Sequence, residues 1–122
     1  MNLWLWSAVA LIVLLGLVHS VLGERYILTR LFRRDLPKLF GSDDFTKRTL
    51  RFAWHLTTVV WWGVAVVLIV LATDDVQAAF DVLAATALVS AIVALVGSRG
   101  RHLAWVVFLV IAAALWLGTH RT

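Results

Sequence analysis

Residues 3–23 read LWLWSAVALIVLLGLVHSVLG, without a single Asp, Glu, Lys or Arg. Wound as an α-helix at about 1.5 Å per residue, such a stretch covers the ~30 Å hydrocarbon core of a bilayer. A second run free of those residues, AWHLTTVVWWGVAVVLIVLA over 53–72, has a similar length. A third, about 76–97, carries one charge, Asp81, near its start. The fourth, about 102–119, is the shortest, yet too uniformly apolar for a soluble core helix. No water reaches backbone groups at bilayer depth, so each run must pair its own N–H and C=O groups and be helical. The sequence thus predicts an all-α, polytopic membrane protein. It is a bundle of four transmembrane helices in one domain, 1–122, with an amphipathic connection at 24–52 between helices 1 and 2.

Composition agrees. The chain is 122 residues long and 62% hydrophobic, where soluble domains average about 45–50% apolar. A domain this small has too little interior to hide that surface from water. Cysteine is absent, which excludes disulfide scaffolds, thiolate metal sites and cysteine nucleophiles. The net charge of +4 does not point to nucleic acid, because the basic residues are not spread along the chain. Arg25, Arg30, Arg33, Arg34, Lys38, Lys47, Arg48 and Arg51 are squeezed between two apolar runs, as in segments that face anionic lipid headgroups or a protein partner.

Charge bias also sets an expected orientation. The connections at 24–52 and 98–102 hold ten of the eleven Lys and Arg residues, the second through Arg99 and Arg101, whereas 73–81 holds Asp74, Asp75 and Asp81 and no base. Both basic connections are therefore expected in the cytoplasm and both termini outside. Trp4, Trp6 and Trp116 then fall at outer ends and Trp54 and Trp105 at inner ends, while Trp61 and Trp62 sit mid-span and need packing partners. Met1-Asn2 supplies no basic n-region and the first apolar run is too long for a cleaved signal, so it reads as a retained span.

Within the long connection, Tyr26, Ile27, Leu31 and Phe32 recur at helical spacing against arginines. That pattern predicts an amphipathic continuation of helix 1, ended by Pro37. Gly41 and Ser42 then turn the chain, and Ser42 or Asp43 caps a second helix beginning near 43.

No nucleotide-binding or catalytic motif occurs: there is no Walker loop, GxGxxG, HExxH or GxSxG. The chain reads as non-enzymatic. The informative residues are the polar ones inside the spans, which are rare and usually functional. His19 precedes Glu24 by five residues and His55 follows Arg51 by four, so both imidazoles lie at about the same depth on antiparallel helices. Equal depth is what a two-helix site for a transition metal ion or haem requires. Glu24 and His102 are candidate further ligands, with Ser20 and Thr58 as orienting hydrogen-bond partners. Glu24 lies ~140° around a straight helix from His19, and Gly23 is where a bend would have to come. His102 starts the fourth run at shallower depth, where a headgroup-facing histidine is expected ahead of a ligand. An alternative for His19 and His55 is hydrogen bonding across helices that only fixes the packing. Copper(I) is disfavoured, since Met1 is the sole sulfur.

The segments HSVLGE at His19–Glu24 and RFAWHLTTVVWWG at Arg51–Gly63 resemble a group of small bacterial membrane proteins that has no assigned activity. The likeness covers roughly the N-terminal half. It implies a bacterial inner-membrane location and singles out His19, Glu24, Trp54 and His55. The chain is unlike four-helix multidrug exporters, which carry a carboxylate inside helix 1, and unlike small fluoride channels. Three functions are consistent with these residues. One is a metal- or haem-binding bundle. Another is a small, homodimeric transporter or proton-coupled channel with titrating histidines. The third is an accessory subunit of a larger membrane complex.

Overall fold

The computed structural model describes residues 1–121. It is all-helical, and no strand occurs among the described residues beyond an isolated bridge between Leu39 and Ser42. Helix α1 runs over Leu3–Leu31 and widens to a π-helix at Gly23–Leu28. Helix α2 covers Asp44–Leu71, α3 Val76–Ser98 and α4 Ala104–His120. The first three are long and apolar enough to cross a membrane. At 17 residues, α4 reaches only ~25 Å.

Each helix packs on its neighbours in sequence: α1 on α2, α2 on α3, and α3 on α4. Helix α3 lies between α2 and α4 in this row, and its buried face is built from small residues. Ala84, Ala87, Ala91, Ala94 and Ser98 recur at alternating steps of three and four, and Ser90 is buried beside them. Small side chains let two flanking helices approach one backbone, which is how helices associate where lipid removes the hydrophobic drive between them. Helix α4 buries no residue, and large apolar side chains such as Leu11, Leu14, Leu15, Val107 and Val110 point outward. Apolar surface on this scale is stable only where the surroundings are themselves apolar.

The connection between α1 and α2 departs from expectation. The amphipathic helix stops at Leu31, ahead of Pro37, because tight turns from Arg33 N–H to Arg30 O and from Arg34 N–H to Leu31 O reverse the chain. Reversal puts the Phe32 ring under the Arg51 guanidinium, 4.8 Å from it. A second reversal at Phe40 and Gly41, both at positive φ, returns the chain to α2. Helix α2 begins at Asp44, close to the expected position. Ser42 Oγ accepts weakly from Asp44 N–H at 3.3 Å, while the Asp43 carboxylate serves the loop instead. It accepts from Leu36 N–H and pairs with Lys47 at 2.9 Å.

The Lys47 hydrogen bond holds the Asp43 carboxyl below its ordinary value of 3.8, against a smaller opposing effect of desolvation. A depressed folded-state value stabilises the connection above the unfolded value, and that contribution is lost as the pH falls through the folded one. Limited proteolysis of residues 32–43 is therefore expected to accelerate on acidification below about pH 4. Asp43→Asn should be cleaved faster at neutral pH and lose this step.

Candidate functional site

Between α1 and α2 the polar groups of both helices are matched one to one. Three α2 side chains at four-residue steps reach three α1 carbonyls at three-residue steps. Trp62 Nε1–H donates to Val13 O at 3.2 Å, Thr58 Oγ–H to Gly16 O at 3.0 Å, and Trp54 Nε1–H to His19 O at 3.0 Å. Gly16 and Gly23 make the approach possible. A Cβ on Gly16 would stand 2.6 Å from Trp62 Nε1, and one on Gly23 would enter the Trp54 indole. Mid-span Trp62 thus finds a hydrogen-bond partner on α1, although it is as exposed as Trp61.

His19 and Trp54 form a closed pair. Besides accepting the Trp54 donation at its carbonyl, His19 donates from Nε2 to Trp54 O at 3.2 Å, since a carbonyl can only accept. The two rings stack 4.6 Å apart and nearly parallel.

His55 belongs to a different set. Its Nδ1 lies 2.9 Å from Ser20 Oγ and its Nε2 3.0 Å from Glu24 Oε2. Ser20 and Glu24 are one helical turn apart on α1, so the imidazole bridges two rungs of one face. Ser20 Oγ continues to Thr58 Oγ1 at 2.7 Å, and Arg51 grips the Glu24 carboxylate through Nη2 at 2.8 Å and Nε at 3.2 Å. Glu24 is the second residue of the π-helical segment, a distortion often found where a helix is adapted to function.

The sequence expectations divide accordingly. His19, Ser20, Glu24, His55 and Thr58 do share the α1–α2 interface. The imidazoles, however, answer to separate partners, and Glu24 turns to His55. Glu24 pairs with Arg51 rather than with adjacent Arg25, which instead lies over the Tyr26 ring at 5.5 Å. Thr58 touches His55 only through Ser20. His102 stacks on Phe45 and meets Phe52 edge-on, and its Nδ1 accepts from Ala104 N–H in the first turn of α4. Among the described residues no group of three or more His, Asp or Glu side chains is disposed to hold a metal ion. Asp81, expected beside Asp74 and Asp75, faces His120 at 3.6 Å and accepts from Gln77.

No protein-family model, curated protein or solved structure matches this chain. The chemistry of the site must carry the functional argument alone.

That chemistry lies in where the protons can sit. With neutral His55 holding its proton on Nε2, that N–H donates to Glu24. Nδ1 then accepts from Ser20, whose oxygen accepts from Thr58. With His55 doubly protonated, Nε2–H still donates to Glu24, while Nδ1–H donates to Ser20. The two hydroxyls rotate, Ser20 donates to Thr58, and Thr58 donates to Gly16 O. The doubly protonated arrangement makes every contact in the cluster, whereas in the neutral one Thr58 gives its single proton to Ser20 and Gly16 O loses that donor; the change between them needs only hydroxyl rotation and no movement of the backbone. Glu24, held by Arg51, remains the acceptor in both.

Proposed function

We propose that this chain is a four-span protein of the bacterial inner membrane, with both termini outside, whose His55–Glu24 pair takes up and releases protons at the cytoplasmic boundary. It works as the proton-exchange site of a small transporter or proton-coupled channel. The observation that carries this reading is the reversible chain from Glu24 through His55, Ser20 and Thr58 to the Gly16 carbonyl. A histidine that only fixed packing would need one tautomer and one set of partners. Here the imidazolium keeps every contact and the neutral ring gives up only the Thr58 bond to Gly16 O, so the two charge states are exchanged by hydroxyl rotation, which suits a proton carrier. The open row of helices encloses no pathway by itself, so a homodimer, with α1 or α4 facing the second copy, is the expected working unit.

A metal ion or haem shared by His19 and His55 would have to displace Ser20 or Glu24 from His55, while His19, bonded to Trp54 through Nε2, would offer only Nδ1. The proton reading leaves those bonds intact.

The discriminating measurement is nitrogen-15 NMR of the histidines in lipid bilayers. On acidification His55 is expected to convert from an Nε2-protonated ring to an imidazolium, with His19 keeping its Nε2 proton. A His55 ring that kept one tautomer at every pH where the chain stays folded would remove the proposal. So would stoichiometric metal or haem, lost together in His19→Ala and His55→Ala.

A further inference from the structure

A cavity of about 660 Å³ opens between α2 and α3 at the end of the row that carries the basic connection. We propose that it seats one anionic phospholipid, its phosphate on Lys47, Arg48 and Arg51 and an acyl chain along Phe52, Val93 and Val96. This inference names a ligand and a site beyond the proton reading and does not depend on the titration of His55.

Three observations support it. The first is the order of the lining. Asp44, Lys47, Arg48 and Arg51 occupy the first two turns of α2, and Phe52 follows, opposite Ile92, Val93, Val96 and Gly97 of α3. Polar groups thus give way to apolar ones along a groove running ~16 Å from Asp44 to His55, which is the sequence of chemistry in a phospholipid from headgroup to chain. The second is charge. Three cations line the mouth against one carboxylate, Asp44. Each cation already holds a carboxylate, Lys47 on Asp43, Arg48 on Asp44 and Arg51 on Glu24. Those pairs leave donors free. Arg48 engages Asp44 through Nε, leaving the terminal nitrogens of its guanidinium, and an ammonium has three protons for one carboxylate contact. A phosphate oxygen can be added without breaking an existing pair. The third is fit to the surroundings. The Phe32 ring and the Arg51 guanidinium above it close the mouth, while Val96 is 69% exposed on the outer lip. A chain can therefore enter sideways from the bilayer. A soluble anion such as free phosphate would use the mouth and leave the apolar length empty, so the lipid is the occupant that uses the whole groove.

The test is native mass spectrometry of the full chain released from mild detergent after incubation with phosphatidylglycerol or phosphatidylcholine of identical acyl chains. One phosphatidylglycerol per chain should be retained, at least about tenfold over phosphatidylcholine. A tenfold preference is a small demand on several charge-assisted contacts. Lys47→Gln combined with Arg48→Gln should lower retention about tenfold by removing headgroup donors. Val96→Trp, at an exposed position where folding is not at stake, should lower it comparably by laying an indole across the groove. Inorganic phosphate added in excess should not displace the lipid. Equal retention of the two lipids, or retention unchanged in either variant, would show lipid held only as a general coat and overturn the site. Displacement by inorganic phosphate would overturn the lipid as ligand in favour of a free anion.

Discussion

Gly23→Val is expected to unfasten α1 from α2 and to give the largest stability loss of any single substitution in the chain. The Trp54 indole lies where the new side chain must go, and it cannot step aside cheaply. Its Nε1–H is bonded to His19 O, its carbonyl to His19 Nε2, and its face to the His19 ring. Overpacking against a pinned ring costs about 3 kcal/mol or more, and all three His19 contacts are broken in addition. Thermal unfolding in detergent, followed by circular dichroism, should show a transition lowered by well over ten degrees for a domain of this size. The second site supplies the check. Trp54→Ala opens the space, so Gly23→Val with Trp54→Ala should be more stable than Gly23→Val alone. Strictly additive losses would mean that the glycine acts through something other than this contact.

The helices were legible because hydrophobic length is a strong signal. Runs such as Leu3–Gly23 admit one secondary structure in an apolar medium. What the sequence hid lay in the helix-to-helix register. His19 reaches the carbonyl of Trp54, one residue before His55, so the helices bring the two imidazoles to neighbouring levels, but level does not fix azimuth. His19 faces Trp54, and His55 faces Ser20 and Glu24 one turn further along. The Glu24–Arg51 pair could have been found by the same reasoning, as the first charges beyond the apolar runs of two antiparallel helices. Arg25 is adjacent to Glu24 in the chain, but neighbours in a helix point in different directions, and Arg25 lies over Tyr26 instead. The end of α1 was misplaced for a related reason. Pro37 is a visible breaker, whereas the turn before it brings Phe32 to a tertiary contact with Arg51, which local pattern cannot show. The paired use of Ser20 and Thr58 was invisible as a chain. Only the distances reveal that one hydroxyl links His55 to the other.

Proton flux into proteoliposomes under a clamped potential is expected to fall about a hundredfold in His55→Gln, the lower end of what a positioned proton-transfer group contributes. Glu24→Gln should fall similarly, because Gln cannot serve as the charged acceptor for the imidazolium. His19→Gln should retain most of the flux, since His19 is tied to Trp54 outside the chain of hydroxyls. Reduced flux alone does not separate a relay from a packing defect, so the hydroxyls provide the sharper comparison. Thr58→Val keeps the shape of a buried side chain and removes one link. Ser20→Ala removes the other and leaves His55 Nδ1 without its partner. Each should cost about 1 kcal/mol of stability. Ser20→Ala with Thr58→Val should cost less than the sum, because the Ser20–Thr58 hydrogen bond that both single losses include is lost only once. A relay requires the opposite order for flux: the double variant is the better folded relative to additivity, yet has no hydroxyl left to accept the Nδ1 proton. If flux in that variant recovered along with stability, the hydroxyl chain would be a packing device, and protons would have to cross by a route that avoids Ser20 altogether.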